Sequence, residues 1–240
     1  GEIYFGGYSQ IAKVNGDFLV KKPKNLDLRQ SMIIGTAGLT ALMCSFTTKA
    51  TREELLLGEK VENVIVSGAS GGVGSMAVMM LNKLGCNVTA VTGKDSNADY
   101  LLSMGAKNVM NTKELTKDAR PLDKGIWDGA VDTVGGKVLE NILAQTKETG
   151  IVAACGNAAD IKLNTTVMPF IIRGIKLWGI NSVNASIKRR NFLWNEAGKL
   201  IDFNILEKSI KEINLDEVIN IYPKMLKGET SGRYIINLNK

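Results

Sequence analysis

Apolar and polar positions along the middle of the chain form blocks that predict strands and helices in alternation. Residues 64–66 are a continuous apolar run, which is typical of a strand buried on both faces. A helical pattern follows at 73–84 and ends at Gly85, which tolerates the left-handed geometry found after a helix. Further strands are predicted at 87–91, 108–110, 130–132, 151–155 and 175–180, with helices at 98–104 and 137–145. This order predicts an α/β fold whose core is a doubly wound parallel sheet.

The two ends of the chain do not continue this alternation. At the front we predict a strand at 18–20 and a helix from Leu28 to Lys49, followed by a charged segment at 51–62. Gly35 and Gly38 interrupt that helix at a cost in stability, so we expect close packing or a ligand beside them. At the back we predict a helix at 187–200, a strand at 210–213, a helix at 216–226 and a strand at 233–238. The chain therefore divides into a central domain at 31–202 and two pieces of a second domain, at 1–30 and 203–240.

A glycine-rich turn at 67–74 lies between the first strand of the alternating region and its helix. Glycines are needed there because the backbone turns sharply and then approaches a pyrophosphate, which binds the free N–H groups of the helix N-terminus. Relative to the GxGxxG pattern, Ala69 occupies the first glycine position, and Gly71 and Gly74 the second and third. The motif alone is weak, but its strand-turn-helix context predicts a dinucleotide site, with a purely structural glycine turn as the alternative.

The end of the second strand favours NADP over NAD. An NAD enzyme usually presents an acid there, about 20 residues after the glycines, to bond the ribose hydroxyls. Here the strand ends at Thr92, Gly93 and Lys94, which offer a hydroxyl, an open turn and a cation for a 2′-phosphate. Asp95 is the rival, because a side chain turned inward would favour NAD.

Two more strand ends should face the cofactor, since ligands lie outside the carboxyl ends of parallel strands. The small residues at 132–136 could admit ribose and nicotinamide, and 154–157 lies beside them. Cys155 could be a nucleophile, but it lacks a basic partner, so we interpret it as a small packing residue.

Composition and charge exclude several classes of protein. The 240 residues are 45% hydrophobic and 22% charged, without a run of ~18 apolar residues or a secretory start, so we expect no membrane span. The net charge of +6 suits phosphate-bearing cofactors, and the basic cluster at 188–190 is interpreted as a solvated helix face. Binding to nucleic acid is therefore not predicted.

The cysteine and histidine content narrows the chemistry further. Three widely spaced cysteines and no histidine leave no recognisable zinc-ligand pattern and no Ser-His or Cys-His machinery. The odd number of cysteines favours a reducing, cytoplasmic location. The chain does not begin with Met, so we expect that Gly1 is not the natural start.

Together these motifs resemble the medium-chain dehydrogenase/reductase superfamily, and in particular its acryloyl-coenzyme A reductase branch with the YhdH/YhfP-type quinone oxidoreductases. The matching stretches are 6–8 (GGY), 34–38 (IGTAG), 66–75 (VSGASGGVGS), 128–136 (DGAVDTVGG), 152–156 (VAACG), 165–171 (TTVMPFI) and 232–233 (GR). The resemblance implies a Rossmann domain with remnants of a GroES-like β domain at both ends. It also implies that most of the N-terminal catalytic half, with an asparagine-tyrosine segment facing the nicotinamide, precedes this chain.

The resemblance implies NADPH-dependent, zinc-independent reduction of an activated carbon–carbon double bond, as in acryloyl-CoA to propionyl-CoA. Quinone reduction, or a non-catalytic NADPH-binding or NADPH-sensing module, are the alternatives. The cofactor-binding residues implied by motif match are Ser70, Gly71, Gly72 and Val73 for the pyrophosphate, Thr92, Gly93 and Lys94 for the 2′-phosphate, Asn108 for adenosine, Asn157, Ile171 and Ser182 for the nicotinamide side, and Arg233 at the C-terminus. Asn157 and Asn181 depart from the family, which usually has an apolar residue and an aspartate at these positions.

The implied mechanism transfers hydride to the β-carbon of an enoyl thioester, while charge builds on the thioester oxygen and solvent or a tyrosine protonates the α-carbon. No catalytic residue is assigned within this chain. Relatives of this kind often pair as homodimers through the edge strand, here 176–180, although that strand could equally be a covered edge of the sheet.

Overall fold

The computed structural model describes residues 6–55 and 60–239. The first five residues of the segment 1–30 and residues 56–59 of the charged segment 51–62 lie outside the described residues.

The central sheet has six parallel strands in the order β3-β2-β1-β4-β5-β6. The strands are β1 (Asn63–Val66), β2 (Asn87–Thr92), β3 (Asn108–Asn111), β4 (Trp127–Asp132), β5 (Thr146–Ala154) and β6 (Lys176–Gly179). The chain order reverses between β1 and β4, which is the switch point where a doubly wound sheet opens a crevice for a ligand. The predicted fold class, a doubly wound parallel sheet, is confirmed.

Helices cover both faces of this sheet. The helices are α1 (Leu28–Leu55), α2 (Gly72–Lys83), α3 (Ala98–Ser103), α4 (Gly136–Gln145), α5 (Met168–Arg173), α6 (Ile187–Leu200), α7 (Phe203–Glu207) and α8 (Val218–Leu226). Successive residues of β1 point to opposite faces: Val64 and Val66 pack in the core beneath α1 and α2, and Ile65 packs in the core beneath α4. A strand buried on both faces explains the continuous apolar run in the sequence.

Helix α1 bends at Gly35, whose φ of +48° is left-handed. Three residues later, a Cβ on Gly38 would lie 2.8 Å from the side chains of both Ile34 and Met76, so a glycine lets α1 approach α2 closely. The expected close packing is therefore present at Gly38, whereas a Cβ on Gly35 would meet no atom within 4 Å. The stretch Leu28–Lys49 is long and apolar enough to cross a membrane by length and composition alone, but 67% of its most apolar window is buried within the fold.

The C-terminal segment forms a second, two-stranded parallel sheet of β7 (Ile210–Ile213) and β8 (Arg233–Ile236), joined through α8. Hydrogen bonds attach this segment to α1 and to the glycine-rich turn: Arg29 of α1 forms a bidentate pair with Glu207, and the Gly232 N–H donates to the Ser70 carbonyl at 3.4 Å. The division of the chain at 31–202 and 203–240 stays a prediction.

Some local predictions were wrong. Residues 18–20 do not form a strand, because the Asn15 side chain accepts from the Asp17 N–H at 3.0 Å and caps a 3-10 turn, Gly16–Phe18. The predicted helix end was too early, because α1 continues past Lys49 to Leu55, into the charged segment at 51–62. The short helices α5 and α7 were not predicted, because a single turn or two leaves little periodicity to detect.

Candidate dinucleotide-binding site

The glycine-rich turn joins β1 to α2 at the switch point of the sheet. Gly68 is left-handed, with φ +57°, and a Cβ there would lie 2.2 Å from the Thr133 hydroxyl oxygen. A Cβ on Gly74 would lie 2.3 Å from the Gly68 carbonyl oxygen, so the first turn of α2 presses directly on the turn before it. Gly71 occupies the N-cap without a side-chain hydrogen bond to the helix. The N–H groups of the first turn are therefore left for a ligand, as a phosphate-binding helix N-terminus requires.

A cleft of about 800 Å³ opens in front of this turn. Ser70, Gly71 and Gly72 line one side, whereas Val73 does not line the cleft, and a pyrophosphate-binding role for these four residues stays a prediction. The opposite side comes from the bend of α1 and from the C-terminal segment, with lining residues that include Thr36, Ala37 and the stretch Gly228 to Arg233 without Glu229. The small residues at 35–38 indicated close packing or a ligand beside α1, whereas no sequence pattern indicated the loop before Arg233.

Arg233 is a buried cation beside the glycine turn. Its side chain lines the cleft, its residue is 8% exposed, and its Nη2 donates to the Gly72 carbonyl. Its Nη1 is buried and has no hydrogen-bond partner, and no carboxylate among the described residues forms an ion pair with it. Burial lowers the pKa of Arg233 to about 10. A buried guanidinium without an anion is costly, so this position fits an anionic ligand in the cleft.

The end of β2 connects to the same region through hydroxyl and lysine contacts. Thr92 is buried, and its hydroxyl lies 3.3 Å from the Ser70 hydroxyl and accepts from the Lys94 N–H at 3.3 Å. The Lys94 Nζ donates to the Gly228 carbonyl at 2.6 Å, across the opening. Gly93 between them is exposed. The structure thus brings the predicted 2′-phosphate residues next to the predicted pyrophosphate turn.

Asp95, the rival residue that would favour NAD, is hydrogen-bonded to β3. Its carboxylate accepts from the Asn111 Nδ2 at 2.7 Å, at the carboxyl end of that strand, and like Thr92 and Lys94 it does not line the cleft. Asn108, predicted as an adenosine contact, lies at the amino end of β3, opposite Thr89. Asn111 is the residue that lies beside Thr92 at the cofactor edge of the sheet. Asn108 therefore lies three residues, about 10 Å along the strand, from this edge, and its role as an adenosine contact stays a prediction.

Asp132, at the end of β4, is a fully buried structural residue. Its carboxylate accepts from the Ser67 hydroxyl at 2.6 Å and from the Gly135 N–H at 2.9 Å. Burial raises its pKa, and these hydrogen bonds oppose that rise. The carboxylate therefore fixes the loop after β4 against the glycine turn, while the next two residues, Thr133 and Val134, line the cleft.

A second, open pocket of about 480 Å³ lies beyond the ends of β5 and β6. It is lined by Cys155, Asn157 and Asn181, and the nicotinamide-side role of Asn157 stays a prediction. The Cys155 thiol donates to the Asp132 carbonyl at 3.5 Å, and its interaction with the buried Cys44 thiol lowers the pKa of Cys155 and raises that of Cys44. Both cysteines are free of disulfides.

The other two predicted nicotinamide-side residues line neither cavity. Ile171 lies on α5 and is 70% exposed. The Ser182 hydroxyl accepts from the Thr40 hydroxyl at 2.8 Å, which attaches the loop after β6 to α1. A cofactor role for both residues stays a prediction.

The sequence profile of the zinc-binding dehydrogenases matches residues 72–197, more than half of the chain. The chain belongs to this family. Over 239 residues it is 43% identical to the probable acrylyl-CoA reductase AcuI of Escherichia coli, covering 100% of this chain and 72% of that relative. The predicted resemblance to the acryloyl-coenzyme A reductase branch is therefore confirmed.

Solved structures of close relatives share the fold over nearly the whole chain. The yhdH oxidoreductase of Salmonella enterica, crystallised in complex with NADP, superposes with a TM-score of 0.93 at 40% identity and covers 100% of this chain and 72% of its own. The yhfP protein of Bacillus subtilis, crystallised with NAD bound, superposes with a TM-score of 0.86 at 37% identity, over 95% of this chain and 68% of its own.

The family name refers to zinc, yet metal ligands are not clustered in the part of the chain that the structure describes. No group of three or more histidine, cysteine, aspartate or glutamate residues there could hold a metal ion. Independence of zinc stays a prediction for this chain.

Proposed function

We propose that this chain binds NADPH and forms the nucleotide-binding part of a reductase that acts on activated carbon–carbon double bonds, with an enoyl thioester such as acryloyl-CoA as substrate. The observation that carries the proposal is the buried, unpaired Arg233 guanidinium beside the glycine turn. The AcuI relative and the NADP-bound relative from Salmonella support the same cofactor and reaction class.

Three groups of residues correspond to three parts of the cofactor. The first-turn amides of α2 and the Arg233 guanidinium would bind the pyrophosphate, because the helix has no side-chain cap and the Arg233 Nη1 has no acceptor. Lys94 and Thr92 would hold the 2′-phosphate of the adenosine ribose. The pocket lined by Cys155 and Asn157 would hold the nicotinamide side.

When bound, NADPH supplies the hydride for reduction of the double bond. The chain's own part is to fix the phosphates by preorganised donors, so that the nicotinamide end is held at the carboxyl edge of β5. We assign no catalytic residue within the described part of the chain. The chain spans 72% of the AcuI relative, and we expect turnover to need the remainder.

Nucleotide titration tests the cofactor assignment. NADPH and NADH are titrated into this chain, with binding followed by nicotinamide fluorescence. The wild-type chain is expected to bind NADPH more tightly, and Lys94→Ala should lose about tenfold in NADPH affinity, the value of one charge-assisted contact of about 1.5 kcal/mol. NADH affinity should stay within about twofold, because NADH lacks the phosphate that Lys94 contacts. Tighter binding of NADH by the wild-type chain would overturn the proposal.

Quinone reduction is the second candidate reaction, since the YhfP relative carries the provisional name of a quinone oxidoreductase. The two reactions share the cofactor site and differ in substrate. Steady-state oxidation of NADPH by a full-length protein, measured with acryloyl-CoA and with a quinone, separates them. A higher kcat/KM with the quinone would show that a quinone, and not the enoyl thioester, is the preferred substrate. NADPH binding without turnover of either would favour a sensing module.

We also propose that two copies pair through the edge strand β6 in the cytoplasm. Leu177 and Trp178 on that strand are 36% and 45% exposed, and they leave an apolar edge that a second copy could cover. Light scattering should show a dimer for the wild-type chain and a monomer for Trp178→Lys. A wild-type monomer would refute the pairing.

A further inference from the structure

The loop that follows α8 crosses the cleft and contacts both predicted phosphate subsites. At its start, the Gly228 carbonyl accepts from the Lys94 Nζ at 2.6 Å. At its end, the Gly232 N–H donates to the Ser70 carbonyl at 3.4 Å, and Arg233 donates to the Gly72 carbonyl. One loop, 228–233, therefore bridges the lysine at the end of β2 and the glycine turn after β1.

Backbone geometry fixes both ends of this loop. Gly228 is left-handed, with φ +65°, and its N–H donates to the Met225 carbonyl at 2.9 Å, which ends α8 in the usual glycine cap. A Cβ on Gly228 would meet no atom within 4 Å, so only the backbone angle restricts this position. Gly232 is also left-handed, with φ +70°, and a Cβ there would lie 2.3 Å from the Ser209 carbonyl oxygen.

The contact with Gly228 orders Lys94. A lysine ammonium has three donors on a flexible four-carbon side chain, and one hydrogen bond to a fixed carbonyl leaves two donors for another acceptor. The carboxylate next in sequence, Asp95, is held by Asn111 at 2.7 Å, and Glu229 of the loop is exposed. No described carboxylate forms an ion pair with Lys94, so its partner here is a neutral carbonyl.

We infer that Gly228 is a specificity-determining residue: its carbonyl positions Lys94 for a phosphomonoester on the adenosine ribose of the cofactor. The inference rests on the proposed NADPH function and deepens it, because it makes discrimination against NADH depend on a C-terminal loop as well as on the end of β2. A side chain that is already ordered gives up less freedom when the phosphate binds.

The test replaces Gly228 by two residues that differ in their tolerance of left-handed backbone. Gly228→Val should move the carbonyl away from Lys94, because β-branched residues rarely adopt positive φ. Gly228→Asn is the matched control, since asparagine is common in this conformation. Dissociation constants for NADPH and NADH are measured by nicotinamide fluorescence, and thermal unfolding shows that each variant is folded.

Gly228→Val is expected to weaken NADPH binding about fivefold, which corresponds to the cost of immobilising one long side chain on binding. NADH binding should stay within twofold for Gly228→Val, and Gly228→Asn should retain both affinities. In a Lys94→Ala background, Gly228→Val should change the NADPH-to-NADH ratio no further, because the effect acts through the lysine. Gly228→Ala serves in place of Gly228→Val if the valine variant does not fold.

Tighter NADPH binding in Gly228→Val would overturn the inference, because the carbonyl would then be a competitor of the phosphate. Equal losses for NADPH and NADH, or an unchanged effect without Lys94, would overturn it as well, since the loop would then act only as a wall. These outcomes leave the proposed function intact. Failure of the wild-type chain to prefer NADPH would refute the proposed function itself.

Discussion

Replacing Gly74 by alanine places one methyl group where the first turn of α2 presses on the glycine turn. An alanine Cβ at this position would lie 2.3 Å from the Gly68 carbonyl oxygen and 2.6 Å from the Ala69 Cα. Both neighbours are backbone atoms, so no flexible side chain can move aside. Contacts under 3.0 Å essentially never occur, so the helix and the turn must separate by at least 0.7 Å, the difference between 3.0 and 2.3 Å.

That displacement costs stability and affinity. Overpacking costs about 1–3 kcal/mol, and its upper end applies because the opposing atoms are rigid. Alanine recovers about 1 kcal/mol through its higher helix propensity, which leaves Gly74→Ala about 2 kcal/mol less stable. The same movement shifts the first-turn amides away from a bound pyrophosphate. Loss of one hydrogen bond to a charged group, worth about 1.5–3 kcal/mol, lowers NADPH affinity at least tenfold.

Urea unfolding and NADPH titration measure the two effects. Gly72→Ala is the stability control from the same helix turn, because its Cβ would meet the Ala37 Cβ at an ordinary 3.4 Å. It should be at least as stable as the wild-type chain. If Gly74→Ala keeps its stability and binds NADPH within twofold of wild type, the reasoning from close backbone contact is wrong.

Further predictions concern Arg233, Asp132 and the thiols of Cys44 and Cys155. Arg233→Met should leave the free energy of unfolding of the nucleotide-free chain within about 1 kcal/mol of the wild-type value, because the buried guanidinium lacks an anion. Isothermal titration should nevertheless show at least a tenfold loss in NADPH affinity. A loss of both stability and affinity would indicate a structural role for Arg233. Asp132→Ala should lower the free energy of unfolding at pH 7 by about 2–3 kcal/mol in urea titrations, since the Ser67 hydroxyl and a backbone N–H lose their acceptor. Burial raises the pKa of Asp132, so the wild-type chain should lose stability as pH rises from the unfolded pKa, about 3.9, to the folded value. An equal loss of stability in Asp132→Ala over this pH range would show that ionisation of Asp132 is not its cause. Mass spectrometry should show that N-ethylmaleimide modifies Cys155 faster than Cys44. Cys44→Ala should slow the modification of Cys155 severalfold, because the Cys44 thiol lowers the pKa of Cys155. Faster modification of Cys155 in Cys44→Ala would contradict this reasoning.

The central domain could be predicted because its signals are local. A strand buried on both faces must be continuously apolar, as at Val64 and Ile65, and helices that end at Gly85 and Gly105 need left-handed backbone there. The glycine turn was placed correctly for the same reason, since Gly74 is required by its close contact with Gly68, six residues earlier in the chain.

The rest of the site could not be predicted from local pattern. Gly228 contacts Lys94, which is 134 residues away in the chain, and no periodicity of either segment indicates this contact. Asn108 and Asn111 are both asparagines on β3, and only the register with β2 shows which one reaches the carboxyl edge. Asp132 begins the stretch 132–136 that was expected to admit ribose and nicotinamide, but burial and its hydrogen bonds give it a structural role.

The unpaired nitrogen of Arg233 has a consequence for the lifetime of the protein in the cell. A ligand that binds only the folded chain raises its free energy of unfolding in proportion to the logarithm of its concentration. Under the proposed function, this cation would be neutralised only while nucleotide is bound. Nucleotide-free molecules would then unfold more often and be degraded sooner by proteases, so the abundance of the protein would follow the concentration of NADPH.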